Sequence, residues 1–151
     1  MNAGLSQDAA RAAVDRVCSF YETLSPRSLP DIGSLYAPDA RFKDPFNEVR
    51  GVPAITRIFE HMFENLHQPR FVVTRRLVDG QEAFLVWQFH LRFRRFSPDT
   101  PQVIQGGSHL VLGPDGRVTE HRDYWDAAEE LYEKLPAIGA LMRWLRRRVN
   151  R

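Results

Sequence analysis

Cys18 is the only cysteine among 151 residues. One thiol cannot close an internal disulfide, and it excludes every metal site built on several cysteines. No apolar run approaches the ~18 residues of a membrane-spanning helix. The N-terminus, M-N-A-G-L-S-Q-D, lacks the basic segment and apolar stretch of a secretory signal, so we expect a cytoplasmic protein. No repeat, low-complexity stretch or linker divides the chain, which reads as one domain over 1–151. Acidic residues are missing from one place: residues 137–151 hold five arginines and no acid, whereas the remainder carries 16 basic against 19 acidic side chains. The pI of about 9.0 therefore belongs to the tail. The body gives no reason to expect a nucleic-acid partner.

What is present suits one globular core: 43% of residues are hydrophobic and 26% charged. Ser6 can cap a helix over 7–24, with Ala10, Ala13, Val14, Val17 and Tyr21 on one face. Asp31 starts a short second helix carrying Ile32, Leu35 and Tyr36, which Pro38 ends. A-R-F-K-D reads as a short strand and the following residues to Gly51 as a loop. From Pro53 a third helix presents Ile55, Ile58, Phe59, Met62, Phe63 and Leu66. After Pro69 the period changes from 3.6 to 2. Phe71 opens a strand, Asp79-Gly80 is a hairpin signal, and residues 83–96 alternate, with Leu85, Trp87, Phe89, Leu91 and Phe93 on one face. Residues 102–112 form the next strand, with a bulge suggested by Gly106-Gly107. G-P-D-G turns into a last strand over 117–125, and Asp126 caps a further helix with Glu129 in the capping-box position. Helices grouped ahead of a meander predict an α+β fold, with helices on the concave face of a curved antiparallel sheet. Such a cone encloses an interior.

The final strand raises the chemical question. In V-T-E-H-R-D-Y-W-D, His121 and Asp123 stand two apart and therefore share one face. That face either meets water or lines a pocket. A carboxylate beside Trp125 and the neighbouring Trp87 could act as a base in an apolar surround. Otherwise it forms an inert ion pair.

The element order resembles the nuclear-transport-factor-2-like fold of ketosteroid isomerase and the SnoaL-type polyketide cyclases. The stretches that carry the resemblance are L-Y-A-P-D-A-R-F-K-D-P (35–45), G-V-P-A-I-T-R-I-F (51–59), S-H-L-V-L-G-P-D-G-R-V (108–118) and E-H-R-D-Y-W-D (120–126). In the isomerases the acid of the D-P pair is the general base, which implies Asp44. Tyr21 or Phe20 falls near their oxyanion tyrosine, while Ser108 stands where they carry a second acid. In the cyclases a histidine and an aspartate on adjacent strands serve the reaction, which implies His109 and Asp123. Ser108 and His109 point to opposite faces of a regular strand, and we take the cyclase phase, with His109 inward.

The resemblance implies a pocket for a small hydrophobic carbonyl compound, lined by Tyr21, Phe42, Phe46, Phe59, Phe63, Trp87, His121 and Trp125. Asp123 would be its acid/base, His109 a helper and Asp44 a second carboxylate. The chemistry would be a cofactor-free isomerisation, cyclisation or dehydration. The alternative is a binding module that turns nothing over. His109, His121 and Asp123 also have the residue types of a two-histidine, one-carboxylate iron site, but no metal is expected in this fold. Family members pair through the convex sheet face, so a homodimer is implied, with His90, Arg92 and Arg94 on that face. The tail, 137–149, reads as a basic amphipathic helix. We expect it docked on the body rather than on a membrane.

Overall fold

The computed structural model describes residues 4–95, 98–127 and 129–130. The tail over 137–149 lies outside them. Helix α1 (Gln7–Glu22) is capped by Ser6, whose side chain accepts the Ala9 N–H at 3.1 Å. Ala10, Ala13, Val14, Val17, Cys18 and Tyr21 recur at intervals of three and four and are all buried. The chain then makes a 3₁₀ turn (Pro26–Asp31) and a single-turn helix, α2 (Ile32–Leu35). Tyr36 does not belong to that helix as expected. It opens strand β1 (Tyr36–Lys43), and Pro38 lies within the strand.

The expected loop before Gly51 contains a short strand, β2 (Glu48–Arg50), antiparallel to β1. Gly51 has φ 94°, a conformation that favours glycine, and it leads directly into α3 (Val52–Asn65). Ile55 and Phe59 bury the inner face of α3.

Four long antiparallel strands follow: β3 (Leu66–Asp79), β4 (Glu82–Phe93), β5 (Gln102–Leu112) and β6 (Val118–Tyr124). Strand β3 begins before Pro69 rather than after it. Gln68 takes a positive φ of 49°, and the pairing with β4 slips between His67 and Arg70, so the proline sits at an irregularity.

The sheet order is β2-β1-β6-β5-β4-β3. Strand β1 runs parallel to β6, so the sheet is mixed rather than wholly antiparallel. It is curved and open, and α1 and α3 pack across its concave side. This is the expected α+β architecture with one core, in which Tyr36, Ile32, Ile55, Leu110 and Val118 are fully enclosed. Among the described residues no helix is long and apolar enough to cross a membrane.

The glycine pair does not make a bulge. The β4–β5 register runs unbroken from Glu82↔Val111 to Leu91↔Gln102. The glycines instead admit aromatic rings: a Cβ on Gly106 would lie 2.4 Å from Trp87, and one on Gly107 would lie 2.7 Å from Phe84. An unbroken register keeps Ser108 on the face of the buried Ile104, Leu110 and Leu112. His109 must then point outward. The bulge lies in β6, where Val118 pairs Leu112 and Glu120 pairs Val111, leaving Thr119 as the extra residue. That one residue restores the inward phase for His121 and Asp123 after the turn.

Candidate functional site

A continuous set of hydrogen bonds crosses the concave floor of the sheet. Tyr21 on α1 meets the Tyr36 hydroxyl at the start of β1. The Tyr36 hydroxyl lies 2.7 Å from His121 Nδ1, and His121 Nε2 lies 2.6 Å from Asp123 Oδ1. From the other side Trp87 Nε1–H donates to Ser108 Oγ at 2.8 Å, and Ser108 donates to the same Asp123 Oδ1 at 2.6 Å. Five donors can all be used in one direction only. Tyr21 donates to Tyr36, Tyr36 donates to a neutral His121 at Nδ1, and His121 donates from Nε2 to Asp123. Two short donors on one oxygen are the geometry of an ionised carboxylate. Burial and the nearby Asp123 charge push both tyrosine hydroxyls well above their ordinary range, so both stay protonated donors.

His121 is almost wholly buried among Tyr36, Phe42 and Tyr21, with the Phe42 ring 4.6 Å away. The Asp123 side chain keeps 18% of its surface. Its Oδ2 has no partner among the described residues, and no buried polar side-chain atom among them is left unpaired. That oxygen therefore opens onto the cavity.

The cavity holds about 340 Å³ between α3 and the sheet. Phe59, Phe71, Trp87 and Asp123 are shared with a smaller inner void of about 30 Å³ that reaches Tyr21, Ser108 and His121. Phe42, Phe46 and Trp125 complete the wall towards the mouth, where Phe46 and Trp125 meet edge to face at 5.5 Å. Phe71 and Phe89 stack at 4.3 Å beside them.

Of the residues expected from sequence, the structure thus brings together Asp123, His121, Trp87, Trp125, Tyr21, Phe42, Phe46 and Phe59. Phe63 is half-buried against the core and lines neither cavity. Asp44 lies at the cavity wall, but its carboxylate is engaged locally. Oδ1 accepts the N–H groups of Phe46 and Asn47 at 2.8 and 2.6 Å, and both oxygens accept from the Asn47 side chain. This Asx turn is what an aspartate before a proline commonly makes.

His109 is a correction. It lies on the outer face, 3.0 Å from Glu82, in a broad groove bounded by Arg41, Arg50 and Arg122. Ser108 occupies the inward place beside Asp123, because the glycines leave the strand register intact. For the same reason His109, His121 and Asp123 do not converge, and the described residues hold no cluster of three metal-ligating side chains.

Tyr36, Ser108 and Phe71 are the residues of this candidate site that sequence reasoning missed. Tyr36 carries the sequence signal of a helix and opens a strand instead. Ser108 could have been found from its spacing to Leu110 and Leu112.

With this geometry in view, the comparisons with known proteins are specific about family. Residues 17–121 match the model of the SnoaL-like domain. The chain belongs to the SnoaL-like domain family. Solved structures agree on the fold. A nuclear-transport-factor-2-like protein of unknown function from Burkholderia pseudomallei K96243 is 15% identical, with a TM-score of 0.68 over 80% of this chain and 93% of that one. A Jannaschia sp. CCS1 protein assigned to the SnoaL-like polyketide cyclases is 16% identical, with a TM-score of 0.68 over 82% and 89%. An epoxide hydrolase from M. tuberculosis is 16% identical, with a TM-score of 0.67 over 85% and 86%. At such identities the likeness establishes the SnoaL-like architecture and no activity. No curated protein shows significant sequence similarity to the chain.

Proposed function

We propose that this SnoaL-like protein holds a small hydrophobic molecule in its cone, and that Asp123 moves a proton on it in a cofactor-free reaction such as isomerisation, cyclisation or dehydration. One observation carries the reading. Asp123 presents a single unengaged carboxylate oxygen to an aromatic cavity, while its other oxygen is fixed by Ser108 and His121. A base is effective when it is positioned, partly desolvated and within reach of a bound proton. Rotation of the carboxylate would break two short hydrogen bonds, so Oδ2 stays aimed. His121 and Ser108 are positioning residues. Asp44, engaged in its own turn, is a wall residue. A lone carboxylate against apolar walls would favour a passive binding module. An Asp–His pair converging on the cavity favours catalysis.

The substrate need not be known to test this. 5-Nitrobenzisoxazole opens to a coloured phenolate when a base removes its C–H proton and the N–O bond breaks. The wild-type protein should open it faster than an equal concentration of acetate, and Asp123→Asn should lose at least ~100-fold, the usual scale of a general base. Asp44→Asn should keep the rate. If the compound binds, as read by tryptophan emission, but opens no faster than in acetate, the binding-module reading replaces this one.

We also propose a homodimer through the convex face of the sheet. Leu77, Phe84 and Tyr124 are large apolar side chains that lie there 50%, 36% and 48% exposed. Strand register pairs Leu77 on β3 with Phe84 on β4, and the Tyr124 ring on β6 lies 6.5 Å from Phe84.

A further inference from the structure

Among the described residues, the floor of the cavity has an acceptor and no free donor. Every hydrogen that Tyr21, Tyr36, His121, Ser108 and Trp87 can offer from a hydroxyl or ring nitrogen is already engaged in the set that ends on Asp123 Oδ1. A substrate carbonyl or enolate oxygen arriving beside Asp123 would meet a carboxylate oxygen and none of these five donors. Oxyanion stabilisation needs donors aimed at the developing charge, and here they are turned away from it.

Charge points the same way. Among the described residues, neither the main cavity nor the inner void is lined by lysine or arginine, and His61 at the mouth lies against Glu64 at 3.2 Å. Asp123 turns its one free carboxylate oxygen into a largely apolar enclosure. A negative charge there is costly without a cation beside it. Phe59, Phe71 and Trp87 line the main cavity and the inner void with Asp123, and aromatic rings attract cations within about 6 Å of the ring centre.

We infer that the group docking on Asp123 is a protonated amine carried by a hydrophobic body. Its N–H donates to Oδ2, and its alkyl or aryl carbons lie against Phe59, Phe71 and Trp87. This deepens the proposed function, since it rests on the cavity around Asp123 being the ligand site. It also replaces the carbonyl compound expected from the resemblance to ketosteroid isomerase. A hydroxyl could supply the hydrogen bond, but it would leave the charge unmatched.

Three compounds of one shape separate the cases: benzyldimethylamine, protonated at pH 7; its hydrocarbon isostere isobutylbenzene; and the ketone isobutyrophenone. Binding is read by titration calorimetry or by emission of Trp87 and Trp125, both in the wall. The amine should bind at least tenfold tighter than either neutral compound, and Asp123→Asn should bring all three within about twofold of one another. His109→Ala, on the outer face of the sheet, should retain the preference. The amine class is overturned if the ketone or hydrocarbon binds as tightly as the amine, or if the preference survives Asp123→Asn. If none of the three binds at millimolar concentration, the cavity is not a ligand site and the proposed function fails with it. Should Asp123→Asn not fold, the order of the three affinities in the wild type decides alone.

Discussion

His121 takes its character from its neighbours. A histidine two residues from an aspartate is common on exposed strands, but here the imidazole bridges a tyrosine hydroxyl and a carboxylate with almost no surface of its own. Removing either partner would leave a buried polar group unmatched, which costs about 1–3 kcal/mol. The tyrosines and Cys18 give this core a measurable dependence on alkaline pH. Burial raises the Cys18 thiol from 9.0 to about 11, and burial with the nearby Asp123 charge raises Tyr21 and Tyr36 above 10. Each group holds its proton more tightly folded than unfolded. Its contribution is therefore complete below the unfolded value and declines as pH rises past it, by up to about 1.4 kcal/mol per pH unit per group. The urea midpoint should be flat from pH 7 to 8.5 and fall steadily above pH 9. Cys18→Ala should make the fall between pH 9 and 10 shallower. A midpoint unchanged up to pH 10.5 would show that these groups are not enclosed as described.

The elements were legible in the sequence wherever one period dominated. Helix α1 and the alternation of Leu85, Trp87, Phe89, Leu91 and Phe93 followed directly from apolar spacing. Boundaries went astray where a local signal competed with tertiary pairing. Tyr36 and Pro38 look like the end of a helix, but pairing of Tyr36 with Val118 on β6 opens a strand there, and Pro38 falls in the irregular stretch before Arg41. The glycine pair on β5 carried the larger lesson. Gly106 and Gly107 read as a break in phase, yet their role is steric: a side chain on Gly106 would displace the Trp87 indole that donates to Ser108. A ring on the neighbouring strand leaves no trace at the glycine in a single sequence, so a supposed break in phase outweighs the spacing of Ser108 to Leu110 and Leu112 and puts His109 inward. The single-residue bulge at Thr119 was equally silent, although it sets the direction of His121 and Asp123.

At the scale of the molecule, one sheet has two faces of different use. The concave face carries the cavity and its aimed carboxylate. The convex face carries Leu77, Phe84 and Tyr124, with the Arg122 guanidinium 4.9 Å over the Tyr124 ring. Single exposed apolar residues are ordinary, but three of them grouped on three strands of one face fit a second copy. Sedimentation equilibrium should give a dimer for the wild type and a monomer for Phe84→Glu. A monomeric wild type would remove the proposal.

The central claim is that the donors on the cavity floor run in one direction and end on Asp123 Oδ1. It is tested most directly by ¹H–¹⁵N NMR of the histidine side chains. His121 is one of five histidines, so its signals are identified by their loss in His121→Gln. At pH 7 the imidazole should be neutral, with the proton on Nε2 and an unprotonated Nδ1 accepting from Tyr36. A proton on Nδ1, or an imidazolium with both nitrogens protonated, would reverse or break the direction and contradict the account.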